Sequence, residues 1–260
     1  MIHVSIRSRI QSLLDFVFPA ECAACHAFAG DDRMVIFCQS CWATILPLSS
    51  SGCGHCGKPF AGDSTPAGFL CGDCRTSPPY FDRALSAAIY NGVMKEAIHQ
   101  FKFSRKFGLG KPLARLLLAQ FDGQIEYSRY DAILPVPLHR SRSKQRGYNQ
   151  AEILAREVAK ARHLALMTKN LIRVRRTAAQ WQFSNKRERL DNVKNAFQIL
   201  NPEQVRDKHL LLIDDIFTTG STANECAKTL KRAGAASVVV LTVSRAGLGQ
   251  HSASLAASTQ

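Results

Sequence analysis

The sequence predicts an α/β protein: a parallel sheet with helices on both faces, preceded by a small cysteine-rich metal-binding module. Three observations carry this. Short apolar runs alternate with helical patterns from residue 80 onward. Eight of the nine cysteines fall in Cys-x-x-Cys pairs between residues 22 and 74, and one buried strand leads into two acids and a turn of small hydroxylated residues. With 46% apolar and 21% charged residues among 260, the chain can bury a sizeable core. No stretch approaches the roughly eighteen consecutive apolar residues that a membrane helix needs.

Residues 1–18 carry Arg7 and Arg9, then Leu13, Leu14, Phe16, Val17 and Phe18, and Asp15 interrupts the apolar run before any small-residue cleavage site. This pattern predicts a short amphipathic helix rather than a secretory signal, and a cytoplasmic setting.

The pairs Cys22/Cys25, Cys38/Cys41, Cys53/Cys56 and Cys71/Cys74 are separated by gaps of twelve, eleven and fourteen residues. Two thiolates on one tight knuckle chelate an ion, and two knuckles supply the four sulfurs of a tetrahedral zinc site, so about two zinc ions are expected across residues 19–77. Gly30, Gly52, Gly54, Gly57, Gly62, Gly68 and Gly72 suit the knuckle turns. The aromatics Phe28, Phe37, Trp42, Phe60 and Phe69 form too thin a core to fold without metal. Disulfides belong to oxidising compartments, and a thioredoxin-like dithiol normally occurs once beside a βαβ unit, so both fit less well. Spacing leaves the pairing open: consecutive pairs or alternate ones can share an ion, and His26 or His55 can replace a cysteine. Cys226 lies alone on an apolar helical face and reads as core.

Ser77-Pro78-Pro79 ends the metal module, and a second domain spans residues 80–246. Val93, Ala97, Ile98 and Phe101 mark one helical face, and Leu113, Leu116, Leu117 and Phe121 another. Asp131-Ala-Ile-Leu-Pro-Val-Pro137 reads as a buried strand and loop, followed by a helix carrying Ile153, Leu154, Val158 and Ala161. Strands are expected at 210–213 and 238–243, with a helix from about Thr222 to Ala233 between them, capped by Gly234. Residues 247–260 are small and polar and read as a disordered tail.

The chemistry concentrates in Leu210-Leu-Leu-Ile-Asp-Asp-Ile-Phe-Thr-Thr-Gly-Ser-Thr222. Amides at a helix start lack internal partners, and the helix dipole adds positive potential there, so such a turn traps phosphate. Gly220 permits close approach, while Thr218, Thr219, Ser221 and Thr222 add hydroxyl donors. Asp214 and Asp215 can accept bonds from the vicinal hydroxyls of a ribose, and two adjacent acids ending a buried strand call for a ligand or cation. Neither the dinucleotide-binding glycine signature nor the triphosphatase phosphate loop is present. The net charge is +14, and residues 139–194 hold fifteen Lys/Arg against four Asp/Glu, so their partner should be anionic. Within that stretch Arg142, Lys144, Arg146, Tyr148, Arg173, Arg175, Arg176 and Trp181 mix cations with aromatic faces, a combination suited to single-stranded DNA.

Residues 210–222 resemble the phosphoribosyl pyrophosphate motif of type I phosphoribosyltransferases. Together with Phe18-Pro19, Phe101-Lys102-Phe103, Pro135-Val-Pro137, Arg146-Gly-Tyr-Asn-Gln150, Thr177-x-x-Gln180, Arg187-x-Arg189-x-x-Asn192 and Asn195-Ala-Phe197, they resemble the ComF family across residues 18–245. Tyr148 stands where many relatives carry Phe. The resemblance implies a double zinc ribbon joined to a type I phosphoribosyltransferase-like domain, linked to competence and to internalised single-stranded DNA. It also implies Asp214 and Asp215 as catalytic acids on the ribose hydroxyls, and residues 218–222 on the 5-phosphate. The loop after Pro135 would hold the pyrophosphate with magnesium, with Arg142 and Arg146 as its contacts. Residues 177–195 resemble a closing loop with Lys186, Arg187 and Arg189 as candidate closers, and residues 90–111 a hood that shapes the acceptor pocket. A DNA-uptake helicase or recombination protein is an implied partner. Two functions follow, a phosphoribosyltransferase or a non-catalytic nucleic-acid-binding scaffold that senses a nucleotide.

Overall fold

A computed structural model describes residues 21–28, 36–48, 52–60, 68–177 and 186–246. The expected N-terminal helix and C-terminal tail lie outside the described residues, as do Gly30, Gly62, Gln180, Trp181 and the side chains of Lys186 and Arg187.

Five parallel strands form the central sheet in the order β1-β7-β6-β2-β3. They are β1 (Arg83–Ile89), β2 (Ala132–Pro135), β3 (Ala165–Leu166), β6 (His209–Phe217) and β7 (Ser237–Arg245). The most apolar runs take the middle of the sheet, as strands covered on both faces must. β6 runs four residues past the strand expected from its apolar core. Its ladder with β7 continues from His209↔Ser237 to Phe217↔Arg245 and so takes in Asp214 and Asp215.

Side chains alternate across β6 and divide the core in two. Leu210 and Leu212 join Val238, Val240 and Cys226 on one face, under α8 (Ser221–Arg232). Leu211 and Ile213 join Val239, Leu241 and Ile98 on the other, under α3 (Gly92–Phe103), α4 (Gly110–Gln120) and α6 (Gln150–Arg162). Met94, rather than Val93, completes the buried stripe of α3 with Ala97, Ile98 and Phe101. Cys226 is core, as its apolar neighbours require. Outside the sheet, β4 (Leu171–Arg173) and β5 (Phe197–Ile199) pair antiparallel, and α7 (Lys186–Val193) lies between them in sequence.

The metal module closes the β1 edge. Its two helical turns, α1 (Gln39–Ala43) and α2 (Gly72–Thr76), each start after the first cysteine of the tetrad's second pair, Cys38 or Cys71, and carry its second, Cys41 or Cys74. Between the tetrads, Leu46 and Leu48 exchange backbone bonds with Ile89 and Ala87, each 3.0 Å long, and Pro47 bridges Ala88. Farther along, Ala84 donates to the His55 carbonyl at 2.7 Å. Capping an exposed strand in this way removes a template for edge-to-edge pairing.

Gly57 makes that docking possible, because its φ is +67° and an added Cβ would lie 2.6 Å from the Ala84 carbonyl oxygen. Gly57→Ala therefore combines left-handed strain with a clash at the seam. Chemical denaturation should show a loss of about 1–3 kcal/mol with zinc retained, whereas an unchanged midpoint would mean that the seam contributes nothing to stability.

Candidate functional site

The eight cysteines assemble as two tetrads of consecutive pairs, Cys22/Cys25/Cys38/Cys41 and Cys53/Cys56/Cys71/Cys74, with the Sγ atoms of each within 4.8 Å of one another. Neither His26 nor His55 joins them. The Cys25–Cys38 and Cys56–Cys71 sulfurs are 3.7 Å apart. A tetrahedron with metal–sulfur bonds of about 2.3 Å has edges of about 3.8 Å, whereas a disulfide needs about 2.05 Å. The donor set and its spacing thus fit two zinc ions. At the second tetrad the Cys71 amide donates to Cys53 Sγ at 3.3 Å, the outer hydrogen bond that thiolate ligands favour.

The strand-to-helix turn after β6 opens a cleft of about 310 Å3 at the carboxyl end of the sheet. Asp214, Asp215, Thr218, Gly220, Ser221, Thr222, Arg142 and Arg146 all line it, so of the residues singled out for the phosphoribosyl site all but Thr219 converge there. Thr219 instead lines an adjoining cavity, and its hydroxyl lies 2.7 Å from that of Ser221. Gly220 caps α8 with φ +76°, and a Cβ there would lie 2.4 Å from the Phe217 ring.

The two acids differ. Asp215 is buried and meets Lys102 Nζ at 2.9 Å. Asp214 accepts from the Asp215 amide at 2.9 Å. Burial and the neighbouring Asp215 charge push its carboxyl up to about 7, against the pull of Lys102, and its opening onto the cleft tempers the effect of burial. Arg142 is half-buried, and burial with the charges of Arg146 and Arg176 lowers its pKa from the ordinary arginine value. Arg146, in α5 (Arg140–Arg146), lies 5.0 Å over the Phe103 ring and bonds Gln150 at 3.0 Å.

Several assignments change. In the Arg146-Gly-Tyr-Asn-Gln150 run, Asn149 caps α6, while the Tyr148 hydroxyl and the Gln150 amide both donate to the Phe101 carbonyl at the end of α3. Those bonds fix the helix end that presents Lys102, a site residue whose only trace in the sequence is the Phe-Lys-Phe run. Arg173 is not a surface DNA contact. It is buried over Phe197, donates to the Thr177 hydroxyl and lines the cleft. Arg175 reaches the carbonyls of Asn192 and Lys194 at 3.0 and 2.6 Å, where a cation suits the end of α7. Arg245, unmarked in the sequence reading, is buried and donates from Nη1 to the Cys56 carbonyl at 2.5 Å, with its guanidinium 4.7 Å over the Phe217 ring.

Residues 13–75 match the double zinc ribbon domain, and residues 144–252 match the phosphoribosyl transferase domain. The chain is 36% identical over 195 residues to DNA utilization protein YhgH of Escherichia coli, covering 72% of this chain and 81% of that protein. It is 33% identical over 213 residues to competence protein F of Haemophilus influenzae, covering 80% and 90%. The chain belongs to the ComF family. Competence protein ComFC of Streptococcus pneumoniae is 31% identical over 212 residues, covering 80% and 87%. Like its family, the chain joins a double zinc ribbon to a type I phosphoribosyltransferase-like fold. No helix among the described residues is long and apolar enough to cross a membrane.

The two metal centres predict different responses to damage. Cys53, Cys56, Cys71 and Cys74 belong to the same core as α8 and β7, so Cys53→Ser should loosen the phosphoribosyltransferase-like domain as well as the ribbon. Hydrogen exchange should show lost protection in α8. Cys25→Ser, at an exposed ligand, should release one of about two zinc ions and leave α8 protected.

Proposed function

We propose that the cleft binds phosphoribosyl pyrophosphate with magnesium, and that the protein acts in competence on internalised single-stranded DNA. The observation that carries this is the meeting, in one cleft, of two acids, the start of α8 and a cluster of arginines. Asp214 and Asp215 would accept the ribose hydroxyls, and the amides and hydroxyls of residues 218–222 would hold the 5-phosphate. Arg142 and Arg146 would grip the pyrophosphate, with Arg173 adding charge from below. The acid pair and a pyrophosphate together supply the oxygens that magnesium prefers, and the bound ion would neutralise charge on the departing pyrophosphate.

In a transferase reaction the C1–O bond to pyrophosphate breaks while a nucleophile bonds to C1. This chain's part is to fix the ribose, hold the leaving group and exclude water. The nucleophile would enter beside Tyr90 and Phe103, which line the cleft from the expected hood. Competence relatives make an uptake helicase or recombination protein a natural partner.

A binding role without turnover has its own support, because Arg140, Lys144 and Arg176 are exposed near the cleft and offer phosphate contacts to a single strand. Pyrophosphate release from phosphoribosyl pyrophosphate, with DNA or free bases as acceptors, separates the two roles.

Calorimetry with magnesium should show Asp215→Asn binding phosphoribosyl pyrophosphate about tenfold more weakly or worse, since charge-assisted hydrogen bonds contribute roughly 1.5–3 kcal/mol. Equal affinity would remove the acid from the site. Because Asp214 is raised to about 7, its protonated form dominates below that pH and its acceptor capacity is reduced. Affinity should therefore rise as pH climbs through about 7 and level off above, and Asp214→Asn should flatten that step. For DNA, Lys144→Ala with Arg176→Ala should lower the slope of log affinity against log salt by roughly one to two, and a salt-insensitive wild type would count against DNA binding.

A further inference from the structure

The phosphate loop faces two cavities, and the reading above uses one. Thr218, Gly220 and Ser221 line the cleft with the acids, and the same three residues line a second cavity of about 430 Å3 together with Thr219. Its far walls come from the second ribbon and its exit, at Lys58, Ser77 and Pro79, and from Phe81, Phe217 and Arg245. The volume lies in the range of about 300–1,000 Å3 typical of pockets for organic ligands.

Arg245 places a buried cation in the wall of the second cavity. Its Nη1 is committed to the Cys56 carbonyl and its Nη2 lies 3.8 Å from Cys56 Sγ. Its Nε is buried without a partner among the described residues. The residue is 6% exposed and lines the second cavity. That Nε has no open face on the cavity, so Arg245 gives the wall positive charge rather than a free donor.

A phosphate monoester has one organic substituent, so it would occupy the loop and the first cleft alone. A ligand that fills both cavities through one phosphate is a diester. The second cavity sets apolar walls at Pro79 and Phe217 against polar groups at Thr219, Asn224 and Arg245. Those surfaces suit a nucleoside, which has flat apolar faces and acceptors on its edge whatever the base. In the first cleft, free ribose hydroxyls on Asp214 and Asp215 mark the residue held there as a chain terminus.

Building on the phosphoribosyl reading of the cleft, we propose that the protein binds the 3′-terminal dinucleotide of a single strand. The terminal sugar lies in the first cleft, its 5′-phosphodiester lies on residues 218–221, and the penultimate nucleoside fills the second cavity.

The test compares uridine 5′-monophosphate, the dinucleotides UpU and TpT, and UpU bearing a 3′-phosphate, on the zinc-loaded full chain. The monophosphate carries more charge for the helix start, so tighter binding of a dinucleotide must come from the second cavity. UpU or TpT should bind roughly tenfold more tightly than the mononucleotide, should displace phosphoribosyl pyrophosphate, and should lose that gain when the 3′-hydroxyl is phosphorylated. The preferred sugar then distinguishes an RNA end from a DNA end. Ser77→Trp, at the exposed rim of the second cavity, should reduce the dinucleotide to mononucleotide affinity without altering phosphoribosyl pyrophosphate binding. Dinucleotides that bind no better than the monophosphate, or that bind alongside phosphoribosyl pyrophosphate, would overturn this inference while the phosphoribosyl reading stands. Failure of phosphoribosyl pyrophosphate itself to bind would overturn both.

Discussion

The side chain of Arg245 ties the second cysteine tetrad to the strand-to-helix turn after β6. A buried guanidinium is costly unless its charge and donors are met. Here the Cys56 carbonyl, the Cys56 sulfur and the face of Phe217 meet its charge and its two terminal nitrogens, while Nε has no partner among the described residues. Burial works against the charge on Arg245, and the neighbouring thiols of Cys56, Cys71 and Cys53 favour it. A zinc ion with four thiolates keeps a net negative charge, so a loaded tetrad is a better counter-ion than protonated thiols. The position of Phe217 matters in turn, because its ring occupies the space that any side chain at Gly220 would need. Cysteine, arginine, ring and glycine thus form one packed series, and the shape of the strand-to-helix turn depends on a ribbon more than a hundred residues earlier in the chain.

The ribbons also share out the sheet. Cys22 and Phe37 of the first join the core beneath α3, α4 and α6, while the second tetrad joins the core beneath α8. Residues 46–48, between them, pair along β1. The module straddles the sheet edge and seals both layers at once, which makes it part of the domain's packing rather than an appendage on a linker.

The sequence made the acids, the small-residue turn and the four cysteine pairs legible because each depends on local spacing: strand, acids and small residues in succession, or two thiols per knuckle. The same locality hid other parts. β1 reads Arg-Ala-Leu-Ser-Ala-Ala-Ile, with little β-branched content, and is a strand because β7 pairs with it from more than 150 residues away. The pairing of cysteines into consecutive sets depends on how the knuckles stack, which spacing leaves open. Charge alone grouped Arg173 and Arg175 with the surface cations, yet one is buried against Phe197 and the other closes the end of α7. Arg245 carried no local mark because all its partners are distant in sequence.

The electrostatics of the cleft explain why its charges persist without cancelling each other. Arg142 is pressed by Arg146 and Arg176, and Asp214 by Asp215, so each group of like charges raises its own free energy. Lys102 bridges to Asp215, but Asp214 has no comparably close cation among the described ion pairs. A ligand with hydroxyls at its centre and phosphates at its ends would relieve both groups at once, taking the acids as acceptors and the arginines as counter-ions. For such a ligand, the unrelieved repulsion in the folded state would contribute part of the binding free energy. That arrangement favours a ligand carrying sugar and phosphate together over free phosphate, which reaches the cations and leaves the acids facing one another.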